Sequence, residues 1–161
     1  MNRKIVDTPV GRLELSAWDG RLCAIRAAKT VRQMEADAGD PVLEEAVRQL
    51  EQYFAGERRT FDLPLDMEGS AFDRAVWQQL LAIPFGEIRT YGQIAAALGK
   101  PKASRAVGGA CSRNPLLIAV PCHRVIAGTG GLTGFAAGLE MKRVLLALEG
   151  WNLPNDSVKE K

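Results

Sequence analysis

Histidine is nearly absent from this chain: His123 is the single imidazole in 161 residues. Cysteine is scarce too, with only Cys23, Cys111 and Cys122 and no Cys-x-x-Cys pair. A tetrahedral zinc site draws its ligands from just these residue types at close spacings, so no metal is expected. Three thiols without paired spacing exclude a disulfide framework and fit a reducing compartment. No apolar run approaches the length of a membrane span. Met1-Asn2-Arg3-Lys4 leads straight into a strand pattern rather than a signal peptide. The glycine-rich run 128–138 lacks the Lys-Ser/Thr ending of a phosphate-binding loop, which sets aside nucleotide hydrolysis. The expectation is a cytoplasmic monomer with no membrane partner and no cofactor.

Acid is missing from one long stretch. No Asp or Glu occurs between Glu87 and Glu140, while Arg89, Lys100, Lys102, Arg105, Arg113 and Arg124 fall inside it. The net charge of +2 hides this asymmetry: residues 1–69 carry 10 basic and 13 acidic side chains, residues 70–161 carry 11 and 6. A window with only positive charge suits a polyanion, because each phosphate contact releases counterions. A solvated basic surface is the plainer alternative.

What is present reads as two domains and a tail: residues 1–68, 69–154 and 155–161. Over 3–30 the apolar positions alternate loosely, and Gly11 and Asp19-Gly20 mark turns, so short antiparallel strands are expected. Residues 31–40 read as helix then loop. Pro41 opens a helix with Leu43, Val47, Leu50 and Phe54 on one face and Gly56 at its end. Residues 59–65 alternate again and read as an edge strand, since Pro64 cannot donate to a ladder. This first domain is a small α/β unit.

The second domain reads as mainly helical. Ser70 caps a helix with Phe72, Val76 and Leu80 as its buried stripe and Trp77 in the core. Thr90-x-x-Gln93 is a capping box, and Gly99 stops the helix that follows. Residues 103–111 form the next helix, so the pair has helix-turn-helix form. Small residues at Ala103, Ala106, Gly108 and Gly109 let its backbone approach another surface, with Arg105 protruding. A last helix runs from Leu139 to Glu149, buries Met141, Val144, Leu145 and Leu148, and ends at Gly150. Glu149 lies in its last turn, where a carboxylate opposes the helix dipole, so a partner such as His123 is expected.

The chemical signal is Val120-Pro121-Cys122-His123-Arg124-Val125. An apolar, strand-like segment breaks at proline, and a thiol, an imidazole and a guanidinium follow at once. A thiolate is the reactive form, and a neighbouring imidazole or cation lowers its pKa. Cys23 and Cys111, among small and apolar neighbours, read as structural.

Pro121-Cys122-His123-Arg124-Val125 resembles the active-site signature of the O6-alkylguanine-DNA alkyltransferases, the methylated-DNA–protein-cysteine methyltransferases. Further blocks stand in that family's order over about residues 70–151: Ile83-Pro84-Phe85-Gly86, Thr90-Tyr91-Gly92-Gln93-Ile94-Ala95, Ala103-Ser104-Arg105-Ala106-Val107-Gly108, Asn114-Pro115, and Gly138-Leu139 with Lys142 and Leu145 to Gly150. The resemblance implies an α/β N-terminal domain, a small antiparallel sheet with helices. It also implies a mainly α C-terminal domain with a winged-helix-like helix-turn-helix.

By the same resemblance Cys122 accepts the alkyl group. His123 takes the thiol proton through a water, Glu149 orients the imidazole, and Asn114 steadies the turn. Tyr91 bonds guanine N3 and crowds the phosphate. Backbone at Cys122, Val125 and around Ala136 reads the flipped base. Arg105 fills the gap in the stack, and Ala103, Ser104, Ala106, Gly108 and Gly109 lie along the DNA. The implied partner is double-stranded DNA with alkylated bases, repaired in a single turnover, with O4-alkylthymine an open second substrate. Ala136 and Phe135 depart from the serine and tyrosine of some relatives, which touches substrate breadth. A helix-turn-helix DNA-binding module without catalysis is the alternative, and a cysteine hydrolase a weaker one. The basic window alone fits the module, and Pro-Cys-His-Arg does not.

Overall fold

The computed structural model describes residues 1–28, 39–128 and 138–151. They form two compact units. One comprises Met1–Glu68 with Pro115–Ala119, the other Gly69–Asn114 with Val120 onward. Pro115–Ala119 therefore leaves the 69–154 domain in which the sequence boundary had put it.

In the first unit β1 (Asn2–Thr8), β2 (Gly11–Trp18) and β3 (Arg21–Ala27) make an antiparallel meander. A bulge at Ser16/Ala17 shifts the β2–β3 register. Positive φ at Gly11, Asp19 and Gly20 gives the two hairpin turns their hand. Leu13, Leu15, Ala17, Leu22 and Ile25 are buried. They share a core with α1 (Pro41–Phe54), which packs on all three strands. Asp40 caps α1 by accepting from the N–H groups of Val42 and Leu43, with Pro41 in the first turn.

Two expectations change here. The buried face of α1 is Leu43, Ala46, Gln49, Leu50 and Tyr53, while Val47 and Phe54 are only half-buried. Residues 59–65 form no edge strand. Gln49 takes their polar groups instead: its amide donates to the Asp62 carbonyl at 2.9 Å and its oxygen accepts from the Asp62 N–H at 2.9 Å. Only Leu65 reaches the sheet, as a bridge to Leu22. Leu116 bridges Ile25 on the same strand. Both bridges occupy groups of β3 that a bare sheet edge would leave unpaired. The helix expected within 31–40 lies almost wholly outside the described residues, as does the tail.

The second unit contains α2 (Ala71–Leu81), β4 (Arg89–Thr90), α3 (Tyr91–Ala97), α4 (Ser104–Ser112), a 3₁₀ turn (Cys122–Arg124), β5 (Val125–Ile126) and α5 (Leu139–Leu148). Ser70 accepts from the Asp73 N–H, and both bonds of the Thr90/Gln93 capping box are present. α4 packs on both α2 and α3, as a helix-turn-helix requires. β4 and β5 form a short parallel ladder that brings Val125 beside Arg89. α5 differs from its expected stripe. Met141, Lys142, Leu145 and Leu146 are buried, while Leu148 is 37% exposed. Leu146 instead joins Ile126, with Ile88, Leu139 and Trp151 packed around them. Among the described residues no helix is long and apolar enough to cross a membrane.

Candidate active site

The approach to Cys122 is built from two tight turns. Ala119 N–H bonds to the Leu117 carbonyl at 2.8 Å, and Ile118 between them has φ 72°. Positive φ is costly for a β-branched residue, so this turn is held by its burial. Cys122 N–H then bonds to the Val120 carbonyl at 2.8 Å across Pro121, whose φ of −81° and ψ of 64° make an inverse γ-turn. The strand-like run expected before Pro121 is thus one bridge, in which Pro115 accepts from Ile25, followed by turns at Ile118 and Pro121 that end the pairing.

The nucleophile candidate is enclosed: Cys122 is 3% exposed. Asn114 Nδ2 donates to its sulfur at 3.1 Å and to the Val120 carbonyl at 2.8 Å. One side chain therefore fixes both the turn and the sulfur. Burial pushes the Cys122 thiol pKa up, while the Asn114 bond and the Lys142 charge pull it down. The sequence expectation of a thiol lowered by its imidazole neighbour is corrected: the thiol rests protonated, and a base must remove its proton.

His123 is fully buried and shares a hydrogen bond with Glu149 Oε2 at 2.7 Å through Nε2. Arg124 completes the cluster, with Nε donating to Glu149 Oε1 at 2.6 Å and a terminal nitrogen to Oε2 at 3.1 Å. It also donates to the Ile83 carbonyl at 2.7 Å. Burial depresses the His123 pKa, outweighing the Glu149 contacts, and the Arg124 and Lys142 charges push the same way. The imidazole is therefore neutral, its Nε2–H donates to Glu149, and Nδ1 carries the free lone pair. That Nδ1 is buried and has no hydrogen-bond partner among the described residues. A neutral imidazole with one nitrogen oriented and the other open is a proton acceptor in waiting.

Two participants escaped the sequence reading. Lys142 is 0% exposed, and its ammonium lies 3.5 Å from the Tyr91 hydroxyl and 5.7 Å from that ring's centroid. Burial lowers its pKa to about 8. The signal was available, since Lys142 follows buried Met141 on α5, but a lone lysine in a helix reads as a solvated face. Arg124 is likewise not a phosphate contact: it is buried as the counter-charge of Glu149. Arg113 pairs with Asp73, and Arg89 with Glu87. The basic window thus leaves Lys100, Lys102 and Arg105 as its exposed cations not in a described ion pair.

Tyr91 begins α3 and is half-buried. Arg105 and Ala106 are exposed on α4, Ala103 and Ser104 are half-buried at its start, and Gly108 faces the Tyr91 ring. Gly109 instead abuts the Arg113 guanidinium. Val125 is buried in β5. The structure brings Asn114 to Cys122 and Glu149 to His123, two buried hydrogen-bonded pairs that meet at adjacent residues of the chain. Ala136, and Phe135 beside it, lie outside the described residues.

Residues 71–151 match the family model described as 6-O-methylguanine DNA methyltransferase, DNA binding domain, and residues 1–67 match that of its ribonuclease-like domain. The chain belongs to the 6-O-methylguanine DNA methyltransferase family. It is 47% identical over 150 residues to a methylated-DNA–protein-cysteine methyltransferase of Methanosarcina acetivorans, covering 91% of this chain and 96% of that one. Against the constitutive enzyme of Bacillus subtilis it is 45% identical over 164 residues, covering 96% of each. Among solved structures, Mycobacterium tuberculosis OGT in complex with DNA aligns with a TM-score of 0.85 and 42% identity over 97% of each chain. The fold is accordingly that of the family: a small antiparallel sheet with helices, then a helical DNA-binding domain.

Proposed function

We propose that this methyltransferase repairs DNA by moving the alkyl group of O6-alkylguanine onto Cys122, once per protein molecule. The observation that carries this reading is the buried Cys122 sulfur held by Asn114, one residue from a buried His123 whose Nδ1 has no hydrogen-bond partner among the described residues. The names of its relatives and the DNA-bound mycobacterial structure support DNA as the partner.

The reacting carbon sits on a base inside the duplex, so the nucleotide must leave the stack, at a cost of a few kcal/mol. Arg105, exposed on α4, fills the gap and offsets part of that cost. Ala103, Ser104, Ala106 and Gly108 give α4 a low profile against the groove, whereas Gly109 is covered by the Arg113 side chain. Tyr91 bonds guanine N3, and backbone at Cys122, Val125 and around Ala136 holds the base edge. The thiol proton passes through a water to His123 Nδ1, and Glu149 stabilises the imidazolium. The sulfur then bonds the alkyl carbon, the carbon–O6 bond breaks, and its electron pair stays with guanine, which takes up a proton. Donors at the base stabilise charge as it develops there. The product thioether has no leaving group, so the protein is spent. The protein acts as a cytoplasmic monomer.

Incubation with a duplex containing O6-methylguanine tests this. Mass spectrometry should find a methyl adduct on Cys122, with guanine restored in equimolar amount. Binding without an adduct would leave the non-catalytic helix-turn-helix module, and release of many equivalents per chain would overturn the single turnover.

A further inference from the structure

The ion pair between α2 and the end of α4 has no place in the mechanism above. Asp73 stands in the first turn of α2 and its side chain is 8% exposed. Arg113, the C-cap of α4, reaches it across 40 residues of sequence with a two-pronged grip. Nε lies 3.1 Å from Oδ2 and a terminal nitrogen 2.8 Å from Oδ1. Such a fork fixes orientation as well as distance.

The path of the side chain is specific. The Arg113 guanidinium folds back over Gly109, where an added Cβ would lie 3.2 Å from it. Gly109 therefore serves as the seat of this arginine, which accounts for half of the glycine pair in an otherwise ordinary helix. A second tie runs alongside: Trp77 Nε1 donates to the Ala110 carbonyl at 2.9 Å. α2 thus holds the last turn of α4 at two points. The next residue is Asn114, whose amide holds the Cys122 sulfur.

We infer that the Asp73–Arg113 pair is a latch that positions Asn114, and through it the Cys122 sulfur. Arg113 is a positioning residue and touches neither the sulfur nor the substrate. The chain of contact is covalent at its middle link. If the C-cap shifts, the Asn114 amide must shift with it, and its bonds to Val120 and Cys122 both lengthen. Asp73 is held ionised by Arg113 first and by its place beside Ser70 second, so the latch stays closed at neutral pH. The role of the sulfur rests on the proposed alkyl transfer, but its chemical reactivity does not, and that separates the tests.

The experiment is the pH-dependent alkylation of Cys122 by iodoacetamide, resolved by peptide mass spectrometry, in the parent, Arg113→Ala, Asn114→Ala and the double variant. Asn114→Ala should slow Cys122 alkylation at neutral pH about tenfold, the worth of one hydrogen bond to a charged group. Arg113→Ala should slow it about threefold, a partial loss of that same bond. In the Asn114→Ala background, Arg113→Ala should change the rate no further, although it should still lower thermal stability. Arg113→Lys should recover part of the rate. An unchanged rate in Arg113→Ala, or an equal slowing with and without Asn114, would overturn the latch. Failure of the methyl-adduct experiment with a normal iodoacetamide series would instead count against the DNA reaction alone.

Discussion

Replacing Glu149 with glutamine tests the electrostatic centre of the site. The Glu149 side chain is 0% exposed, and that of Arg124 is 7% exposed. The carboxylate accepts from Arg124 at both oxygens and from His123 at one. Glutamine keeps the shape but removes the charge, and turns one acceptor into a donor that faces other donors. Arg124 cannot shed its proton, so its charge would stay buried without a counter-ion. Removing one partner of a buried pair costs about 3–5 kcal/mol. For a chain of this size each kcal/mol moves the midpoint by roughly 2–4 °C, so a fall on the order of 10 °C is expected. Urea unfolding and calorimetry measure it directly. The double change Glu149→Gln with Arg124→Met removes both charges and should recover about half of the loss or more. A single variant within about 1 kcal/mol of the parent would show that the cluster is not the closed ion pair described, and would refute the reasoning.

Two further outcomes follow from the same geometry. Lys142→Met removes the cation that draws the Cys122 thiol pKa down, so iodoacetamide labelling of Cys122 at neutral pH should slow; an unchanged rate would exclude Lys142 from the site's electrostatics. Stability should decline as pH falls below about 6.5, the ordinary histidine value, because the unfolded chain binds a proton there that buried His123 resists. Urea midpoints between neutral and mildly acidic pH check this, and His123→Gln should flatten the slope. Asp73 runs in the same direction but at lower pH: Arg113 holds its carboxyl below the usual carboxylate range, so its contribution persists through that window and is lost only in stronger acid.

Much of the fold was legible because it rests on local chemistry. The caps at Ser70 and Thr90 form as read, because each needs only a side chain and a backbone N–H three residues away. The turn at Asp19-Gly20 is local in the same way. Pairing of His123 with Glu149 was also anticipated, from an acid set against a helix dipole. The errors fall where distant chain competes. Residues 59–65 have a strand pattern, yet Gln49 satisfies the Asp62 backbone before any ladder can. On α5 the stripe turns so that Leu146 meets Ile126 and Leu148 faces outward.

The sequence by itself determined the nucleophile candidate, the family, and the order of the helices, because each is written in residue types and spacings along the chain. Tertiary structure alone decided which charges are spent. Arg124 and Arg113 look alike as free cations in an acid-poor window, but one neutralises a buried carboxylate 25 residues away and the other grips an aspartate 40 residues away. It also decided the protonation of the site. Whether a thiol, an imidazole or an ammonium carries its charge depends on the water it has lost and the charges it faces, and neither quantity exists until the chain has folded.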